Sequence, residues 1–410
     1  MRLMMYDAYQ AQMDLTDPLR IMARATSAIL AQPWLCWSNR LSVRNVAALS
    51  ELMGCTVLTH ERPAYGIGTV RVGNREVEVR EEAIHVAPFC TLLRFKKEIE
   101  TVQPRVLLVA PISGHFSTLM RETVRTMLPD NDVYITDWHN ARDVPRAKGR
   151  FDMDDCIDTL IAFLEVLGPG AHMVAVCQPS PIGLAAVAVM AQDGNPAQPR
   201  SLTLMAGPID TRINPTKVDE LALTKPIEWF ERNLISTVPA YYAGAGRRVY
   251  PGFVQLTAFM SMNLDRHMKS FRELFNHRVK RHELEANSIR TFYEEYFAVM
   301  DMTAEFYLQT VRTVFQEHAL PRGRLESRGR KIEPRAIRRT MLLTVEGERD
   351  DICAVGQTLA AQDLCSGLPP YMKRHYMQAG VGHYGVFNGR RWHNEVYPIV
   401  RDVILASDRG

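Results

Sequence analysis

The sequence predicts an α/β fold: a mostly parallel sheet with helices on both faces and a long helical cap inserted before its last strands. Three observations predict it. After Arg105, short apolar runs alternate with stretches of helical periodicity. The alternation stops over residues 212–335, where helical spacing prevails and no strand pattern stands out. It resumes over residues 336–410. The chain therefore divides into an N-terminal extension (1–104), a first part of the core (105–211), the cap (212–335) and a second part of the core (336–410).

Each element has its own signal. From Tyr6 to Leu30, Met, Leu, Ile and Ala recur at helical spacing, which predicts an amphipathic helix for the core, a partner or an apolar surface, with core packing the more frequent answer. "YGIGTVRVGNREVEVREEAIHVA" (65–87) alternates apolar and charged positions around Gly73-Asn74, a hairpin with one wet face. Its Gly66-x-Gly68 is no nucleotide loop, because no helix follows. "RVLLVAPIS", "DVYITDW", "AHMVAVC" and "SLTLMAG" read as strands apolar on both faces, as a covered parallel sheet requires. Between them lie helical patterns from Phe116 to Met127, Met153 to Leu167 and Ile182 to Met190. In the cap, "PIEWFERNLI" and "FYEEYFAVMDMTAEFYLQTVRTVFQEH" are helical. "RTMLLTVEGERDD", a helix from Val355 to Leu364 and "KRHYMQAGVGHYGVF" complete the core. An insertion at this point covers the carboxyl edge of the sheet, where open α/β sheets bind ligands.

Composition excludes several classes. With 46% apolar and 23% charged residues the chain is globular rather than disordered. A net charge of +3, with both signs interspersed, gives no footprint for nucleic acid. No apolar run is long enough to span a membrane. The first thirty residues lack a basic segment followed by a compact apolar run and a cleavage site, so no export is expected. Seven cysteines (Cys36, Cys55, Cys90, Cys156, Cys177, Cys353, Cys365) without a C-x-x-C pair argue against a disulfide framework or a zinc site, and for a reducing cytoplasm.

Cys177 stands where an apolar strand meets a helical pattern. An α/β-hydrolase holds a serine at this corner, in G-x-S-x-G; here the five residues are Ala175, Val176, Cys177, Gln178 and Pro179. That fold needs nucleophile, acid and histidine in this chain order. Cys177, Asp350 and His383 supply them, each at the C-terminal end of a predicted strand. His383 would take the thiol proton, and Asp350 would orient the imidazole and stabilise its charged form. The oxyanion donors would be the backbone N–H of Gln178 and that of Ile112 or Ser113 in "PISGH". Asp351 is the rival acid; Asp350 is preferred because it lies three residues after Gly347. His115 is either a satisfied loop histidine or part of the oxyanion pocket. Asp301 and Glu305, one turn apart in the cap, look like a paired carboxylate site, although a solvated helix face explains them more cheaply; Cys353 and Cys365 read as core.

These residues sit within segments that make the chain resemble the intracellular poly(3-hydroxybutyrate) (PHB) depolymerases: "VAPISGHFSTLMR", "YITDWHNARDVP", "VCQPS", "LMAGPIDTRINPT", "PGFVQLTAFMSMNLDRH", "VMDMTAEFYLQTV", "LLTVEGERDDI" and "GVGHYGVFNGRRW". The resemblance implies a cysteine nucleophile at Cys177 with Asp350 and His383, and a cytoplasmic enzyme on storage granules that needs no cofactor. It implies cleavage of the polyester to 3-hydroxybutyrate or oligomers, or to the coenzyme A thioester if coenzyme A replaces water as acceptor. Aromatics and methionines of the cap, and the N-terminal helix, are candidates for granule contact. Polyester synthases, which share a Cys-Asp-His triad but keep a glycine-flanked cysteine box, rank second, and a non-catalytic granule-binding protein remains the reading from another class. A homodimer is one oligomeric state left open.

Overall fold

A computed structural model describes every residue except 1, 33, 35–36, 39, 56, 100, 263 and 409–410; Cys36 thus lies outside the described residues. Its main sheet has nine strands: β1 (Thr69–Val72), β2 (Arg75–Val86), β3 (Cys90–Lys97), β4 (Arg105–Val109), β5 (Asp132–Trp138), β6 (His172–Val176), β7 (Ser201–Met205), β8 (Met341–Gly347) and β9 (Lys373–Gln378). They lie in the order β1-β2-β3-β5-β4-β6-β7-β8-β9. The pairs from β5 to β9 are parallel, and β1 to β3 join the edge antiparallel. The β part of the N-terminal extension is therefore the edge of the same sheet. Its turn is the expected one: Val72 pairs with Arg75 across Gly73-Asn74, and Gly73 has φ 58°.

β6, β7 and β8 are buried along their whole length, which is why they read as unbroken apolar runs. Helices α1 (Arg2–Leu30) and α2 (Leu41–Cys55) precede the sheet; α3 (Arg121–Met127), α4 (Met153–Leu167) and α5 (Pro179–Gln192) connect its strands. α4 starts where Asp152 and Asp155 cap each other's backbone reciprocally and stops at Gly168, φ 74°. The cap contributes α6 (Lys217–Thr224), α7 (Ile227–Leu234), α8 (Gly252–Met262), α9 (Leu264–Lys280), α10 (Glu283–Tyr296) and α11 (Ala304–Thr310). α12 (Tyr397–Asp408) packs against β7 and β8.

Several expectations need correction. The cap does hold strands, Ser236–Thr237, Arg248–Tyr250 and Met302–Thr303, in a small three-stranded sheet; at two or three residues each they are too short to leave a period. The helix expected from Val355 to Leu364 is turns, with helix only at Ala361–Leu364. α1 exists, but its apolar side does not face the core: Tyr6 and Ala23 are buried, whereas Leu15, Leu19, Ile21, Met22 and Ile29 are exposed. Asp301 is not on a solvated helix face. It lies before α11, buried, and accepts hydrogen bonds from Tyr6 Oη at 2.7 Å and Gly252 N at 2.9 Å, which clasp α1 and α8 together.

Candidate active site

Because β6, β8 and β9 run parallel, their C-terminal ends bring Cys177, Asp350 and His383 to one edge. Cys177 follows β6 directly, with φ 62°, a left-handed backbone that a non-glycine residue adopts at a cost. Its N–H is held by Met205 O at 2.8 Å, and its carbonyl accepts from Ser180 N at 2.9 Å. The tight turn lifts the thiol out of the sheet. Among the described cysteines, Cys90, Cys156, Cys353 and Cys365 are buried, while Cys177 and Cys55 are partly open.

Asp350 is fixed by its own loop. Its Oδ1 accepts the N–H groups of Ile352 and Cys353, both at 2.9 Å, and its Oδ2 takes the Nδ1 side of His383 at 2.8 Å. Asp351 lies at the surface and lines a neighbouring cavity instead. Burial opposes charge on His383, but the Asp350 carboxylate and Cys177 outweigh it, and the ring holds its proton well above the usual imidazole range. Cys177 is the second group near enough to His383 to add to that upward shift. Gln178 is the N-cap of α5, whose N-terminus adds a positive end at the same place.

Gln178 follows Cys177 directly, while Ile112 and Ser113 follow β4, the strand paired with β6; among the described residues no backbone hydrogen bond leaves their N–H groups. His115 is a satisfied loop histidine: it is buried, its Nε2 lies 3.1 Å from Tyr296 O, and burial lowers its pKa to about 4. It staples the loop after β4 to the cap.

Glu346 escaped sequence reasoning. Fully buried near the end of β8, it accepts the N–H groups of Thr358 (2.7 Å), Gly356 (2.9 Å) and Leu359 (2.9 Å), and so shapes the loop that carries Asp350. Thr358 continues the lock, its Oγ1 bonded to both Gly207 N and Gly207 O. A lone glutamate inside an apolar strand was the available signal, since a buried carboxylate needs partners.

Comparison with known proteins adds the family. No curated protein matches the chain. It is similar to the solved structure of the 2-hydroxy-6-oxo-6-phenylhexa-2,4-dienoate hydrolase of Rhodococcus sp. strain RHA1, with 12% identity over 82% of this chain and 100% of that one and a TM-score of 0.42. It is also similar to the monoacylglycerol lipase of Paleococcus ferrophilus, with 12% identity over 74% and 96% and a TM-score of 0.42. A third likeness is to a carboxylesterase structure from Nitrososphaera gargenis, with 15% identity over 83% and 99% and a TM-score of 0.38. The family model described as PHB de-polymerase C-terminus matches residues 206–408, a span that holds the cap, Asp350 and His383. Among the described residues no helix is long and apolar enough to cross a membrane. With a mostly parallel nine-stranded sheet, a strand-to-helix elbow and this family match, the chain is an ester hydrolase of the PHB depolymerase type, built on the α/β-hydrolase fold.

Proposed function

We propose that the protein degrades PHB storage granules in the cytoplasm by thiol catalysis. The observation that carries the reading is Cys177, held in a left-handed elbow against the His383–Asp350 pair. The Cys177 thiolate attacks an ester carbonyl, and the oxyanion rests on the N–H of Gln178 and of Ile112 or Ser113. The C–O bond breaks, and the departing alkoxide takes its proton from His383. Water then attacks the thioester, gives its proton to His383, and releases the acid with Cys177 restored as thiolate. Coenzyme A in place of water would give the thioester product.

Contact with the polymer falls to the exposed apolar residues of α1 and α2. On α1, Leu15, Leu19, Met22 and Ile29 follow helical spacing on one stripe, and on α2 Val46, Leu49 and Met53 do the same. Such a face is uncharged, as the polyester is.

The test is to incubate the protein and its Cys177→Ala variant with amorphous PHB granules, with and without coenzyme A, and to quantify soluble products by mass spectrometry. Release of 3-hydroxybutyrate or oligomers by the parent and not by the variant is expected. Equal release by both would make Cys177 structural, and binding without release by either would leave an adhesion protein.

A further inference from the structure

Under the cap lies a cavity of about 250 Å³ walled in part by aromatic rings, among them Phe259, Phe292, Tyr296 and Tyr384. From the core side His383 opens into it; Cys177, Gln178 and Ile112 do not line it. That asymmetry assigns the cavity a side of the reaction. The acyl group must sit on Cys177 and the oxyanion donors, whereas the leaving alkoxide must sit where His383 can hand it a proton. The cavity therefore faces the alcohol half of the ester.

A guanidinium, that of Arg266, borders this space as well as the protonated His383. α9 presents Arg266 and His267, and His267 is buried, kept neutral by that burial, with its Nδ1 3.0 Å from Tyr293 Oη. Among the described residues Arg266 forms no ion pair. Asp351 lines the same cavity and is engaged in a contact of its own. Arg266, Tyr296 and Tyr384 line the same cavity.

In any polymer of a hydroxy acid, the alcohol half of each ester points toward the free carboxyl end of the chain. A short leaving group in this cavity thus brings a carboxylate with it. We propose that the cavity is the leaving-group subsite and that Arg266 pairs with the terminal carboxylate of a 3-hydroxyalkanoate chain, so that cleavage occurs one or two repeats from the carboxyl end. Aromatic walls take the methyl-bearing backbone, and the guanidinium fixes the end bidentately. On cleavage the alkoxide is protonated by His383, and the hydroxy acid leaves with its carboxylate released from Arg266. This rests on the ester-hydrolase reading above.

The experiment uses the linear 3-hydroxybutyrate trimer as free acid and as methyl ester, with the full chain, Arg266→Ala and Arg266→Lys. Arg266 is exposed, so neither change should disturb folding, and thermal melting checks this. The parent is expected to prefer the free acid. Arg266→Ala should raise KM for the free acid about tenfold or more with kcat little changed, leave the methyl ester unaffected, and be partly restored by Arg266→Lys. Equal handling of the two trimers by the parent, or equal loss on both in Arg266→Ala, would overturn the subsite while leaving the hydrolase reading intact. If the parent cleaves neither trimer nor polymer, the hydrolase reading falls and takes the subsite with it.

Discussion

A left-handed backbone at Cys177 persists only if its surroundings hold it there, and the residues that do so are not those of the usual elbow. Where G-x-S-x-G keeps glycines at its first and last positions, this chain has Ala175 and Pro179. The small residues stand across the gap instead. A Cβ on Gly183 would lie 3.2 Å from Ala175 Cβ, and one on Gly207 would lie 2.1 Å from Ser180 Cβ and 3.2 Å from Cys177 O. Pro179 opens α5, where its missing N–H costs no intrahelical bond. Close approach of helix to strand is thus preserved with the glycines moved off the motif. Gly207→Ala is expected to destabilise the fold by about 1–3 kcal/mol and to lower esterase activity by displacing the elbow, as denaturant titration and turnover of a soluble ester would show. An unchanged melting curve together with full activity would mean that the elbow relaxes freely. The sequence made the positions of Cys177, Asp350 and His383 readable through chain order; the glycines that support them were hidden because they lie on other elements.

His383 also gives the fold a pH dependence of known sign. Its folded pKa stands well above the unfolded value near 6.5, because Asp350 and Cys177 outweigh its burial. The pair therefore stabilises the fold fully below about pH 6.5, and that contribution fades as pH climbs through the folded pKa. In Asp350→Asn the carboxylate is gone, and kcat is expected to fall by about 10³–10⁴-fold as the imidazole loses its orientation. The stability gap between parent and variant, read by denaturant titration, should be widest near and below about pH 6.5 and narrow in the alkaline range. A gap that widens with pH would show that burial, not the carboxylate, governs the ring.

At the scale of elements, legibility followed the environment of each backbone. β4 to β8 were readable because strands covered on both faces are continuous apolar runs. β3 was missed. Its alternation of buried Leu92, Leu93 and Phe95 with Arg94 and Lys96 suits an antiparallel strand near the sheet edge, but it lies beyond the hairpin that the turn residues announced. The opposite error fell on 355–364, where the composition is that of a helix. There Glu346 accepts the N–H groups of Gly356, Thr358 and Leu359, and the segment closes into turns around a carboxylate from another element. No local pattern encodes such a long-range partner. The loop holding Asp350 is therefore set from behind by β8 as much as by its own residues.

At the scale of the whole molecule, α1 is joined to the rest at one end. Tyr6 bonds to Asp301, and Tyr9 stacks on Phe253 with ring centroids 3.9 Å apart. Beyond that anchor the helix packs on α2 and turns Leu15, Leu19, Met22 and Ile29 outward. The periodicity disclosed an amphipathic helix but not what its apolar side meets, since core and external surface demand the same pattern. On the proposed reading the substrate is an insoluble, uncharged polyester, and this exposed apolar face is where adhesion to it is assigned, apart from the catalytic edge. Replacing Leu15 and Leu19 together by Asp puts two charges on the stripe. Each loses the gain from burying a leucine, about 1.5–3 kcal/mol, so co-sedimentation with amorphous PHB granules should fall at least tenfold. Hydrolysis of a soluble ester should be unchanged, because both residues are exposed and distant in sequence from Cys177, Asp350 and His383. Loss of both activities together would mean that α1 supports the fold of the cap, and retention of granule binding would move adhesion to another face.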